Sequence, residues 1–167
     1  MKRTLLIVLI FFFSLHSSFA QDCSGVKRKT DAFTREQIST ASLKCGNLSM
    51  TLERSGDKYY IGFFFMMGSY SDAVFAKGEK VMLRLDNDEI VEVENDHDFK
   101  PTSTPGNVIW TRWTTKSQVD EQLFEKLGKH SITGIRFMLA GNEQTQGVKD
   151  RQADKIREAA ACITTGG

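Results

Sequence analysis

Apolar residues recur at every second position through most of the chain as far as Thr115, and at every third or fourth position in two later segments. The first period belongs to strands and the second to helices. The densest stretch, 59–67, is apolar on both sides. Tyr59, Ile61, Phe63, Phe65 and Met67 would point one way, and Tyr60, Phe64 and Met66 the other. A strand with no polar face is expected to be covered on both. Gly62 interrupts the second row, and a missing side chain there predicts close approach by another backbone or a ligand.

Weaker alternation marks further strands. Residues 26–33, resuming through Ile38, predict the first, and 48–54 the second, which is closed by the turn Ser55-Gly56-Asp57. Residues 81–86 and 90–94 predict a hairpin. A three-residue loop, Asn87-Asp88-Glu89, would set Leu85 opposite Val91, Leu83 opposite Val93 and Arg84 opposite Glu92. Apolar then meets apolar and opposite charges meet, so an odd loop with a bulge is expected. Pro101 and Pro105 bracket a turn-rich loop, 100–107. Residues 108–114 predict a strand with Trp110 and Trp113 on opposite faces.

The longer period begins after that strand. Ser117 reads as a helix N-cap, with Asp120 and Glu121 favourable in the first turn. Val119, Leu123 and Leu127 recur every four residues, Phe124 widens the stripe, and Gly128 suits a stop. Residues 132–139 return as a strand. A last helix over 148–163 would bury Ile156, Ala159, Ala160 and Ile163, with the two alanines permitting close approach to a sheet. Strands followed by helix, strand and helix predict an α+β fold. The expected form is one curled antiparallel sheet of about six to seven strands, with two helices of the C-terminal half packed on it. The alternative is a small β-barrel capped by the C-terminal helix.

The first twenty residues follow neither pattern. Lys2 and Arg3 precede an apolar run, 5–15, that ends in Ser17-Ser18-Phe19-Ala20. A basic start, a short apolar core and small residues at the cut predict a secretory signal peptide, 1–20, cleaved after Ala20. The expected product is a single α+β domain, 21–167, secreted or periplasmic. It has no apolar run long enough to span a bilayer. Of the 167 residues 147 remain, with 20 Lys and Arg against 21 Asp and Glu, a formal charge of −1. A near-neutral chain gives no electrostatic case for nucleic acid, and Lys27-Arg28-Lys29 reads as a solvated strand edge.

Export changes the reading of the cysteines. Cys23, Cys45 and Cys162 allow three pairings and leave one thiol over. Chain termini that lie close together favour Cys23–Cys162, with Cys45–Cys162 still open. Ala20-Gln21-Asp22 before Cys23 does not suit a lipid-attachment motif.

Candidate chemistry is sparse. Walker A, Rossmann, H-E-x-x-H and G-x-S-x-G motifs are all missing, so no cofactor is expected. Asp96-His97-Asp98 is the densest set of potential metal ligands, but its spacing completes no metal motif and a solvated loop explains it as well. Cys45 with His97 or His130 could form a thiolate–imidazole pair, against the plainer reading of a disulfide or core thiol. Asn47-Leu48-Ser49 fits a glycosylation sequon, relevant only on a eukaryotic secretory route. Tyr60, Phe64 and Met66 are the candidate apolar binding face. If helices cover one side of their strand alone, these residues would line a groove or an interface.

Asp31-Ala32-Phe33-Thr34-Arg35-Glu36 in an early strand, Lys77-Gly78-Glu79-Lys80 before a hairpin, and Ile135-Arg136 after a short helix are short motifs along most of the expected mature chain. Together they resemble small secreted bacterial β-rich proteins of unknown function. The resemblance implies an exported β-rich domain and supplies no activity and no site residues. The expected function is a non-enzymatic domain that binds a small apolar ligand, a peptide or a partner protein. The alternatives are a small extracytoplasmic hydrolase using Cys and His or a metal, and an assembly subunit.

Overall fold

The computed structural model describes residues 23–165 apart from Asn107 and Ala140, so the expected signal peptide lies outside the described residues. The described residues as far as Glu94 form strands and turns: β1 (Lys27–Thr30), β2 (Gln37–Cys45), β3 (Leu48–Ser55), β4 (Lys58–Met67), β5 (Lys80–Leu85) and β6 (Ile90–Glu94). Three short strands follow, β7 (Thr102–Thr104), β8 (Trp110–Thr114) and β9 (Ser117–Val119). Helix α1 (Glu121–Lys129), β10 (Ile132–Leu139), β11 (Asn142–Gly147) and helix α2 (Asp150–Thr164) complete the described chain.

The fold is α+β, with its helices in the C-terminal half. The strands form two antiparallel sheets, one of seven strands in the order β1-β2-β3-β4-β8-β7, with β9 also on β4, and one of four in the order β11-β10-β5-β6. Both sheets stay open, so the barrel alternative is not realised. Two glycine turns fix the large sheet's register. Gly46 and Gly56 have φ of 64° and 60° at the first central position of two-residue hairpins, where side-chain-free residues are favoured.

One face of the large sheet is the core. Met50, Leu52, Tyr59, Ile61, Phe63, Phe65 and Trp113 are buried on it. The small sheet covers part of this face. The Phe65 ring lies 4.9 Å from Phe137 of β10 and is stacked 5.3 Å from Trp113. The helices cover the rest: Phe124 of α1 packs 5.0 Å from Tyr59, and α2 lies on β2, β3 and β10. Burial of such large aromatic surfaces is the main driving term for joining the two layers. Arg54 reaches from β3 to the end of α2, where Nη1 donates to the Ile163 and Thr164 carbonyls at 3.3 Å. A cation at that end complements the helix dipole. The expected disulfide, Cys23–Cys162, then ties the segment before β1 to the last turn of α2.

Several local expectations change. The first strand stops at Thr30, because Asp31 folds the chain into a turn: its Oδ1 accepts from the Phe33 and Thr34 N–H groups at 2.8 Å. The 31–36 motif is therefore the β1–β2 turn and not part of a strand, and Phe33 is 96% exposed. Ser117 does not cap a helix. Residues 117–119 are drawn into β9 by pairing with Tyr59–Ile61, and Asp120 is the N-cap, accepting from Leu123 N at 2.7 Å. Gly128 lies inside α1 and not after it. A Cβ there would stand 3.1 Å from Ala161 Cα, so the residue serves helix–helix approach. The β5–β6 hairpin has a three-residue loop one position earlier than expected, Asp86-Asn87-Asp88, with Asp88 at φ 63°. The register moves accordingly: Leu83 faces Val91, Val81 faces Val93 and Arg84 faces Ile90. Asp86 is held in the loop by His130 and Ser131, and the charge pair across the hairpin is Lys80–Glu92.

Candidate functional site

The outer face of the large sheet is the surface that the core packing leaves open. Tyr60, Phe64 and Met66 alternate with the buried row on β4, so the helices and the small sheet cover the row they do not belong to. Tyr60 and Phe64 are half-buried by their strand neighbours and Met66 is exposed. The expectation that both faces of β4 are covered is thereby overturned. The pairing register shows what surrounds the row. Ser49, Thr51 and Glu53 of β3 lie beside Phe64, Gly62 and Tyr60, and Thr114 and Arg112 of β8 lie beside Phe64 and Met66. These neighbours carry hydroxyls and charges, which is why the row is only partly shielded.

Gly62 shapes the centre of this face. Phe63 and Thr115 exchange backbone hydrogen bonds of 3.2 and 2.8 Å, and the Thr115 carbonyl leans over Gly62, 2.7 Å from where a Cβ would be. The expected close approach is thus by backbone. Lys116, the residue after Thr115, reaches across the face beside Gly62: its Nζ sits 4.5 Å above the Tyr60 ring and donates to Glu53 Oε1 at 2.8 Å. A shallow depression of about 140 Å³ remains, lined by Thr51, Tyr60, Phe64, Thr114 and Lys116 among others.

Trp110 extends the face toward β7. It is 46% exposed while Trp113, three residues on, is fully buried, as their alternation requires. The Trp110 ring and Val108 gather over Gly68, and Arg112 Nη2 donates to Thr104 Oγ1 at 2.6 Å. Trp110, Arg112 and Lys116 join the candidate face without belonging to any sequence motif. The signal that could have found Trp110 is its position opposite a core tryptophan on the same strand.

The other candidate residues are dispersed. Asp98 Oδ1 accepts from Lys77 N at 2.8 Å and so pins the turn before β5, while Asp96 bonds the His97 ring, which lies 4.1 Å from Phe99. Among the described residues no group of three His, Cys, Asp or Glu side chains is placed to hold a metal. Cys45, at the end of β2, is a free thiol buried in the core, and burial pushes its pKa up. A nucleophilic thiol needs the opposite shift and access to solvent. His130 pairs with Asp86 at 3.0 Å, and the Asp86 carboxyl is held below the usual carboxylate range, first by Ser131 N–H and then by His130. Asn47 is exposed in the β2–β3 turn.

No family model matches the chain, and no curated protein or solved structure matches it.

Proposed function

We propose that the protein is an exported binding domain that works without catalysis, through the outer face of its large sheet. The observation that carries this reading is the row Tyr60, Phe64 and Met66, half-buried to exposed, on a central strand whose other row is buried from Tyr59 to Phe65. Aromatic and thioether side chains left on an open sheet face are the usual material of recognition surfaces. Export is supported by the N-terminal sequence pattern and by the disulfide, which persists in oxidising compartments. Among the described residues no helix is long and apolar enough to cross a membrane. A binding role is supported further by the buried state of the free thiol and the separate surface partners of His97 and His130.

Trp110 makes the reading testable, since its exposure contrasts with that of Trp113. Tryptophan emission would be followed while the purified protein is titrated with polysaccharides, peptidoglycan fragments, peptides and lipid vesicles. The expected result is a shift with at least one probe, its loss in Trp110→Phe, and recovery of that probe chemically unchanged. A flat response to every probe, or turnover of the bound probe, overturns the proposal.

A further inference from the structure

The charges on this protein are not evenly shared between its sheet faces. Along the strands of the large sheet, the positions on the Tyr60 side include Lys27, Lys29, Lys44, Lys58 and Arg112, and Lys116 reaches onto the same side from the segment between β8 and β9. Glu53 is the carboxylate among those described positions, and Glu36 stands at the rim, bonded to Ser55 Oγ. The small sheet's outer face is balanced by contrast. Lys80 pairs with Glu92 at 2.6 Å and Arg136 with Glu143 at 3.6 Å. The whole chain carries a formal charge of only +1, so the cationic face reflects segregation of charge and not a basic composition.

Hydroxyls form the second component of the same face. Thr40 and Ser42 of β2, Ser49 and Thr51 of β3, and Thr114 of β8 all point outward. Aromatic rings form the third, with Tyr60 and Phe64 about 13 Å apart along β4 and Trp110 beyond them on β8. Each component has a matching group on one class of ligand. The electron-rich ring faces attract the polarised C–H bonds of a sugar ring. The Ser and Thr side chains exchange hydrogen bonds with sugar hydroxyls. The lysines and Arg112 pair with carboxylates. A lipid surface would use the rings and the cations, but would strip water from the hydroxyls without replacing it.

Resting on the binding role proposed above, we propose that the outer face of the large sheet binds an acidic polysaccharide, a chain of sugar rings bearing carboxylates. The charge complementarity of the face selects this ligand over a neutral glycan. Among the described residues nothing walls this side of the sheet, which suits a polymer that runs across several strands.

Affinity electrophoresis with polygalacturonate tests this, with dextran, single-stranded oligothymidine and phosphatidylglycerol vesicles as comparison probes. Retardation by polygalacturonate is expected, weakening as salt rises. Trp110→Ala should reduce the affinity about tenfold. The triple variant Lys27→Gln, Lys29→Gln, Lys44→Gln should weaken binding and flatten its salt dependence, with melting temperatures of both variants kept near wild type. Absence of retardation at low salt overturns the inference. So does equal retardation by dextran, stronger binding of oligothymidine or vesicles than of polygalacturonate, or binding that is indifferent to Trp110→Ala. If another probe shifts Trp110 emission while polygalacturonate does not, the ligand class fails and the binding domain stands. If no probe does, both fail.

Discussion

The carbonyl oxygen of Thr115 lies 2.7 Å from the point where a Cβ on Gly62 would stand. That contact is with backbone, so no side-chain rotation can relieve it. Gly62→Ala is therefore expected to push β8 and β9 away from β4 and strain the paired bonds between Phe63 and Thr115. The expected loss is about 1–3 kcal/mol in urea unfolding. Gly25→Ala is the control, since nothing lies within 4 Å of its added Cβ. Equal stability of the two variants would contradict the geometry.

A related prediction concerns the helices. Alanine is intrinsically the better helix former by about 1 kcal/mol, so propensity alone would make Gly128→Ala stabilising. The new Cβ would meet the Ala161 backbone at 3.1 Å, however, where α1 and α2 touch. A net loss is expected, and a melting temperature above wild type would show that the helices separate freely.

Replacing Cys23 and Cys162 together by serine should cost about 2–5 kcal/mol, since the bond closes a long loop in the unfolded chain. Thermal melts of the wild type with and without reductant should reproduce the difference. Cys45 should stay silent toward thiol reagents in the native protein and react once per chain in denaturant, because it is buried and its pKa is raised by burial. Labelling of the native protein at the denatured rate would contradict its placement.

The Asp86 carboxyl gives a pH signature. Its folded pKa is depressed, so its contribution is present above the ordinary carboxylate range and is lost as pH falls through the lowered value. Asp86→Asn should therefore melt below wild type at neutral pH. The gap should narrow steadily as the solution is made more acidic than the usual carboxylate pKa. A gap that does not change with pH would assign the effect to shape instead of charge.

What the sequence made legible follows from where free energy concentrates. The double row on β4, the buried alanines of α2 and the Cys23–Cys162 pairing were all readable, because burial and covalent closure leave strong local traces. Strand β2 was missed over most of its length, since only Ala41 and Cys45 on it are buried and its other face is polar beyond Ile38. Strand β11, Asn-Glu-Gln-Thr-Gln-Gly, has no apolar signal at all; its pairing with β10 along one edge of the small sheet makes it a strand. Ser117 misled because a capping residue and a buried strand serine look alike until Tyr59–Ile61 are seen to claim the segment. The candidate face was legible as Tyr60, Phe64 and Met66. Its cations were not, since they are spread over strands whose neighbours only the register reveals.

The Cys23–Cys162 bond also decides how the protein would respond to force. A pull applied outside the two sulfurs runs directly from one to the other and bypasses all the residues between them. The sheets would carry no load, and the ladder between β3 and β4 would never be sheared. Pulled by both ends, the oxidised protein would lengthen only by the few residues outside the bond, whereas the reduced protein would unravel strand by strand from those ends.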